Sequence, residues 1–454
     1  MEFATISTGR LRGRVLDGCT AFLNIPYAAP PVGDLRWRAP QPPQAWQGTR
    51  DATDFGTRCW QAAPMPPLSA PPDPAAVADR TEIDYRQEFH SNPDFPDRAE
   101  SEDSLVLNVW TPAQRDTEKL PVAVWIHGGA FCNGSGQEIH FTGEAYAKRG
   151  VILVTLNYRL GLLGFFCHPD LIAEAGTCGN YGLLDQLAAL RWVRENIAAF
   201  GGDPDNVTLF GQSAGAISTM LHCCSPMTTG LFRRVILQSG GGHASAFQEH
   251  TVGSAMADAA LAGADWAKRQ LGVSTAAELR ALPPETLRAA VLQEQAEQRA
   301  RQSKPGLGFL PYLAPVVDGN FVPDFPYHRI EAGQIQPVAS VIGSNSEDLM
   351  AADMVVGSKN WAARCTQLGL PCYAYYFSHQ PLGDKTGAFH SCELWYTFGV
   401  LDRSWRPKTP DDYRLSRELL DRWTAFMKNG DPNTASLPCW KAYSPENAEP
   451  YQFL

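Results

Sequence analysis

The pentapeptide Gly211-Gln212-Ser213-Ala214-Gly215 constrains this chain more than any other stretch. It follows the apolar run VTLF (residues 207–210) and leads into AISTMLH, whose spacing reads as a helix. A strand, a sharp turn and a helix in that order present the middle residue of the turn at the helix N-terminus. The turn strains the backbone of Ser213, and the glycines two residues to either side let neighbouring chains approach. The helix dipole there favours negative charge, so Ser213 is a candidate nucleophile. An ordinary glycine-rich turn has the same letters; the flanking strand and helix favour the functional reading.

Other apolar runs fit the same plan. Residues 122–126 (VAVWI), 151–156 (VILVTL), 235–238, 338–342 (VASVI) and 373–377 (YAYYF) read as strands. Helical spacing lies between them, as in 183–199 with Leu187, Leu190, Val193 and Ile197. This predicts an α/β fold, a central mostly parallel sheet flanked by helices on both faces. Residues 255–271 and 284–299 read as helices outside that alternation and predict a helical cap over about 250–310. A last helix is expected over 411–428, stopped by Gly430 and Pro432. No repeat or linker divides the 454 residues, so one domain, 1–454, is expected. The Pro- and Trp-rich residues 21–50 read as a surface wrapping segment. Residues 62–100, with PMPP and SNPDFPD, read as a long polar loop, the kind that carries function.

The formal charge is −10, with no basic cluster, which argues against nucleic acid or an anionic membrane as partner. The best membrane candidate, residues 151–166, holds Asn157, Tyr158 and Arg159 and falls short of the ~20 apolar residues a span needs. The opening residues lack a signal-peptide core, so a cytoplasmic location is expected. Eleven scattered cysteines without a CxxC pair fit reduced thiols better than a disulfide framework or a zinc site. No metal or cofactor is expected.

His127-Gly128-Gly129-Ala130-Phe131 follows VAVWI directly. Small residues there free backbone N–H groups to face an oxygen that becomes negative during acyl transfer. His127 reads as structural, because a base there breaks the order nucleophile, acid, histidine that this architecture uses. The acid should follow a late strand. Glu347 and Asp348 come just after 338–342, and both are candidates. Only His379 and His390 follow them. His390, in the loop DKTGAFH, reaches over the serine more easily than His379 at the end of a strand. Phe131 is a candidate pocket residue or an ordinary packing residue. Ser239, in LQSGG, is a candidate partner of the site or a plain turn serine.

With these residues in view, the chain resembles the type-B carboxylesterases, the family of the liver carboxylesterases, cholinesterases and bacterial para-nitrobenzyl esterases, and most resembles a compact bacterial member. The matching stretches include PPVGDLRW, SEDSLVLNVWTP, VAVWIHGGAF, NYRLGLLGFF, GNYGLLDQLAALRWVRENIAAFGGDPDNVTLFGQSAG, GAFHSCELWYTFG and DRWTAFMKNGDPN, and they run nearly the whole length. The resemblance implies an α/β-hydrolase fold and a serine esterase acting through an acyl-serine on uncharged small-molecule esters. It implies Ser213 as nucleophile, His390 as base and Asp348 as acid, with Glu347 the alternative, since Glu is usual in the family. It implies an oxyanion hole of the Gly129, Ala130 and Ala214 N–H groups. The family's SEDCL is here Ser101-Glu102-Asp103-Ser104-Leu105, so Cys59 is expected to be a free thiol. Gln212 stands where cholinesterases often have Glu. The same triad would serve an acyltransferase or a hydrolase of amides, carbamates or lactones. A non-catalytic adhesion relative is the reading from another class. Substrate choice is expected to reside in 62–100 and 250–310.

Overall fold

The structure, a computed structural model, describes residues 1–61, 71–90, 92, 98–242, 252, 254–301, 313–444 and 446–453. Parts of the expected polar loop (62–70, 91 and 93–97) and of the expected cap (250, 251, 253 and 302–310) lie outside these residues, as do His243 and His250.

The main strands are β1 (Phe3–Ile6), β2 (Gly9–Leu16), β3 (Cys19–Pro26), β4 (Val106–Thr111), β5 (Leu120–Ile126), β6 (Ile152–Leu156), β7 (Gly202–Gln212), β8 (Arg234–Gln238), β9 (Ala339–Asn345), β10 (Cys372–Phe377) and β11 (Tyr451–Phe453). They form one sheet in the order β1-β2-β3-β4-β6-β5-β7-β8-β9-β10-β11, with Thr49–Ala52 added on β2. From β6 to β11 every pairing is parallel; β1 to β4 are antiparallel, and β4 runs antiparallel to β6. All six strands read from the sequence lie in the parallel part. Their apolar runs are continuous because helices bury both faces.

Alternation along β5 shows how. Val122, Val124 and Ile126 point into one core with Leu183, Leu187 and Val193 of the helix Tyr181–Asn196. Ala123 and Trp125 point into the other, with Leu415, Leu419, Trp423 and Phe426 of the helix Pro410–Asn429. That last helix begins at a capping box of Thr409 and Asp412 and ends at Gly430, whose φ of 80° is the left-handed stop that glycine favours. A third core joins the helices Met256–Leu271, Ala276–Ala281 and Pro284–Arg301 to Pro169–Ala175, through Trp266, Leu279, Leu287 and Leu171.

One expectation is corrected. Residues 21–50 are not all a surface wrap: Cys19–Pro26 is the interior strand β3, paired on both sides and largely buried. Its prolines cluster beyond Ile25, and the apolar residues before them have the composition of a buried strand. Within the wrap, Trp37 is buried and its indole N–H donates to Leu162 O at 2.8 Å.

Among the described residues no helix is long and apolar enough to cross a membrane, and no group of three or more His, Cys, Asp or Glu side chains has a metal-binding arrangement. All eleven cysteines are free.

Candidate active site

Strand β7 ends at Gln212 and the helix Ala214–Cys224 begins at once, leaving Ser213 between them with φ 56° and ψ −127°. A non-glycine residue held there costs about 1–3 kcal/mol, so the surroundings must impose it. They do so through backbone contact. Ser213 N–H donates to Gln238 O at the end of β8 (2.9 Å), and Ser213 O accepts from Ile217 N (3.0 Å). A Cβ on Gly215 would sit 2.0 Å from Ile126 O, one on Gly211 2.4 Å from Gly215 O, and one on Gly240 2.4 Å from Ser213 O. The two glycines flanking Ser213 are therefore steric requirements of the turn.

Asp348 and His390 arrive from two loops beyond β9 and β10. Asp348 follows β9 and is buried; its Oδ2 accepts from Asn345 N (3.0 Å) and its Oδ1 from Leu349 N (2.9 Å). His390 Nδ1 donates to Asp348 Oδ1. Glu347 is exposed, with its backbone bridged to Phe389 and its side chain against Gly387. His379 is elsewhere, bound to Asp412 at 2.8 Å. Burial alone would make the His390 imidazole harder to protonate, but the charge and hydrogen bond of Asp348, and then the charge of Glu393, raise its pKa above the ordinary value. With Nδ1–H on Asp348, Nε2 carries the lone pair. Gln212 Nε2 lies 3.1 Å from that atom.

The loop after β5 adds backbone N–H groups. Gly129, Ala130 and Phe131 all have positive φ (102°, 55° and 59°), and the Cys132 and Asn133 N–H groups both turn back to Gly129 O. Such a run makes a concave row of backbone N–H groups suited to an anion. Among the described residues the Gly129 and Ala130 N–H groups have no acceptor. Ala214 N–H, in the first turn of its helix, has no partner within that helix. His127 braces the loop: its Nδ1 meets Gly128 O at 2.8 Å and its ring stacks on Tyr158 at 4.4 Å. Burial lowers its pKa to about 4, so it stays neutral. Phe131 is fully buried and packs edge-on against Phe165 at 5.2 Å, which makes it a packing residue. Ser239 is buried with φ 48°, its N–H on Gly343 O at 2.8 Å; its Oγ has no partner among the described residues.

Ser213, His390, Gly129 and Ala130 line one cavity of about 310 Å³. Phe89, Phe141, Leu349 and Leu394 form its apolar wall, and Tyr85, Arg86 and His140 also face it. Sequence reasoning did not single out Tyr85 and Phe89. Their signal was the i, i+4 aromatic spacing of the short helix Tyr85–His90 inside the expected polar loop. Behind Asp348 it also did not single out Asn345 and Glu393, although Glu393 lies within the matching stretch GAFHSCELWYTFG. Cys59 Sγ lies 2.9 Å from Ser104 Oγ, the residue standing in for the family's cysteine.

The sequence profile described as "Carboxylesterase family" matches residues 2–358 and 350–454. The chain belongs to the carboxylesterase family. This carboxylesterase is 32% identical to the para-nitrobenzyl esterase of Bacillus subtilis (strain 168), over 99% of this chain and 94% of that one. It is 30% identical to the cocaine esterase of Homo sapiens, over 97% and 86%. Its fold matches the crystal structure of a Geobacillus stearothermophilus carboxylesterase with a TM-score of 0.79 at 31% identity, covering 100% of this chain and 96% of that one. It is an α/β-hydrolase and a serine carboxylic-ester hydrolase of small-molecule esters.

Proposed function

We propose that Ser213 attacks the ester carbonyl, His390 is its base, Asp348 orients and charges the imidazole, and the Gly129, Ala130 and Ala214 N–H groups hold the oxyanion. The observation that carries this reading is one cavity shared by Ser213 at a helix N-terminus, the buried His390–Asp348 pair and the unengaged N–H groups of the β5 loop. His390 Nε2 takes the Ser213 proton as Oγ bonds to the carbonyl carbon and the C=O electron pair moves onto oxygen. When the oxyanion collapses, the C–O bond to the alcohol breaks and the alcohol leaves with the proton from His390. Water, activated the same way, releases the acid and restores Ser213. Each oxyanion donor is worth ~10²–10³ in rate.

The substrates proposed are uncharged small-molecule esters that fit about 310 Å³, with the hydrophobic portion against Phe89, Phe141 and Leu394. The para-nitrobenzyl esterase likeness supports an aromatic alcohol among them. The proposal extends to one hydrolase domain capped by the helices within 250–310. It extends also to a cytoplasmic enzyme without nucleic-acid or membrane partners, supported by its free thiols and its charge of −10. The test is hydrolysis of para-nitrophenyl esters of increasing acyl length by the wild type and Ser213→Ala. Turnover lost in the variant supports the reading; turnover retained by a folded Ser213→Ala overturns it.

A further inference from the structure

The loop after β5, which carries the Gly129 and Ala130 N–H groups, is held from outside by a side chain the mechanism above does not use. Gln61 is buried and lines the cavity that contains Ser213. Its amide grips one residue of that loop from both sides. Oε1 accepts from Gly134 N–H at 2.6 Å, while Nε2 donates to Gly134 O at 3.1 Å and to Cys59 O at 2.7 Å. These partners fix the sense of the amide, since only the oxygen can face an N–H and only the nitrogen can face two carbonyls. The grip passes directly to Gly129. The Asn133–Gly134 peptide unit lies against that residue: a Cβ on Gly129 would sit 2.1 Å from Asn133 O. Gly129 O in turn accepts from Cys132 N at 3.0 Å and Asn133 N at 2.9 Å. On the opposite side, a Cβ on Gly134 would meet His127 Nδ1 at 2.5 Å. Gly134 is therefore wedged between His127 and Gln61, and its own peptide unit closes against Gly129.

A hook of this kind needs a fixed base, and the chain supplies one without a disulfide. Residues Arg58–Cys59 pair in parallel with Glu100–Ser101. Glu100 takes Arg58 Nη2 at 3.3 Å on one oxygen and Arg288 Nη1 at 2.6 Å on the other. The Arg288 guanidinium also lies 4.3 Å over the Trp60 ring, so the helix Pro284–Arg301 clamps the residue next to Gln61. Cys59, on the other side of Trp60, rests against Ser104 Oγ; burial pushes its thiol up to about 12, so it brings no charge to the loop. Held at both ends, the Gln61 amide fixes Gly134 without having to find its rotamer. Precision of this order matters to chemistry, because a displacement of about 1 Å in a reacting group can cost ~10² in rate.

We propose that Gln61 is a positioning residue of this esterase: by gripping Gly134 it sets the Gly129 and Ala130 N–H groups where the oxyanion forms. The proposal rests on the triad and oxyanion reading above. Its test compares wild type with Gln61→Met, which keeps the length of the side chain and removes its hydrogen bonds. Two ligands are used, para-nitrophenyl butyrate and a trifluoromethyl ketone. The ketone adds reversibly to the serine: the Oγ–C bond forms, the C=O electron pair becomes an oxyanion, and the Oγ proton goes to His390. Active sites are counted with a fluorophosphonate. In Gln61→Met, kcat per active site should fall about 10- to 100-fold and the Ki of the ketone should rise by a similar factor, with KM within about twofold. A Ki within about threefold of wild type overturns the proposal, whatever happens to kcat, because a merely structural role lowers the count of active sites without moving Ki. A KM that rises in step with Ki also overturns it, since that is the sign of a ligand contact. If Gln61→Met does not fold, Gln61→Glu is read by the same Ki and the same limits; it keeps an acceptor for Gly134 N–H and loses both donors. Wild-type turnover by folded Ser213→Ala, or a wild type that the ketone does not inhibit, would sink the underlying reading and this proposal with it.

Discussion

Asp348 and Glu347 are adjacent in sequence and opposite in environment. The turn after β9 folds Asp348 back onto the Asn345 N–H and under His390, while Glu347 faces solvent. Asp348→Asn should lower kcat by about 10⁴-fold, since a wrong imidazole tautomer is the consequence, whereas Glu347→Gln should stay within about twofold; steady-state kinetics of the two purified variants checks this. His379→Ala should likewise keep its turnover, because that side chain serves Asp412 at the start of the last helix. The raised pKa of His390 has a sign that kinetics can read. The base works only when neutral, so activity is lost as pH falls through a midpoint above 6.5, the imidazole's ordinary value. Ser213 was legible as the candidate nucleophile because strain, glycine spacing and a helix start are local. The residues alone left the neighbouring carboxyls open, though the resemblance implied Asp348, because burial there depends on a turn whose partners come from a distant loop.

Two elements meet at Ser213 with no room between them. Gly215 lets the helix Ala214–Cys224 lie against the end of β5, so Gly215→Ala should abolish soluble expression or lower stability by about 3 kcal/mol or more, read by urea denaturation. The helix Tyr181–Asn196 is fixed by a buried pair, Asp185 with Arg159 Nε (2.8 Å) and Nη2 (2.7 Å), on the loop after β6. Asp185→Asn leaves the guanidinium buried without its counter-charge and should cost about 3–5 kcal/mol in the same assay. The helices and parallel strands were legible from apolar period and caps, down to the stop at Gly430. Strand β3 was hidden by reading composition over thirty residues, where prolines beyond Ile25 masked the short apolar run before them.

Across the whole molecule, buried neutral histidines set the acid side of stability. Burial lowers the pKa of His127 to about 4 and of His222 to about 3, and His140 is held well below its ordinary value by burial, then by the charges of His90 and Arg403. Groups depressed on folding contribute stability that is present above about 6.5 and lost as pH falls toward those values. Glu393 runs the other way: its raised pKa gives stability that is lost as pH rises through about 7. Urea midpoints should therefore fall clearly between pH 7 and pH 5, and Glu393→Gln should gain on the wild type between pH 6 and pH 8. By itself the sequence determined the strand–turn–helix around Ser213, the glycine loop after β5 and the parallel sheet. These follow from hydrophobic period and steric demand within a few residues. Tertiary structure brought Asp348, which the resemblance had implied, and not Glu347 onto His390, and it alone decided that Gln212 faces the imidazole from 178 positions away and that Asn345 and Glu393 stand behind the pair. Those choices are contacts between the ends of different strands, and their strength comes from burial, which no local pattern records.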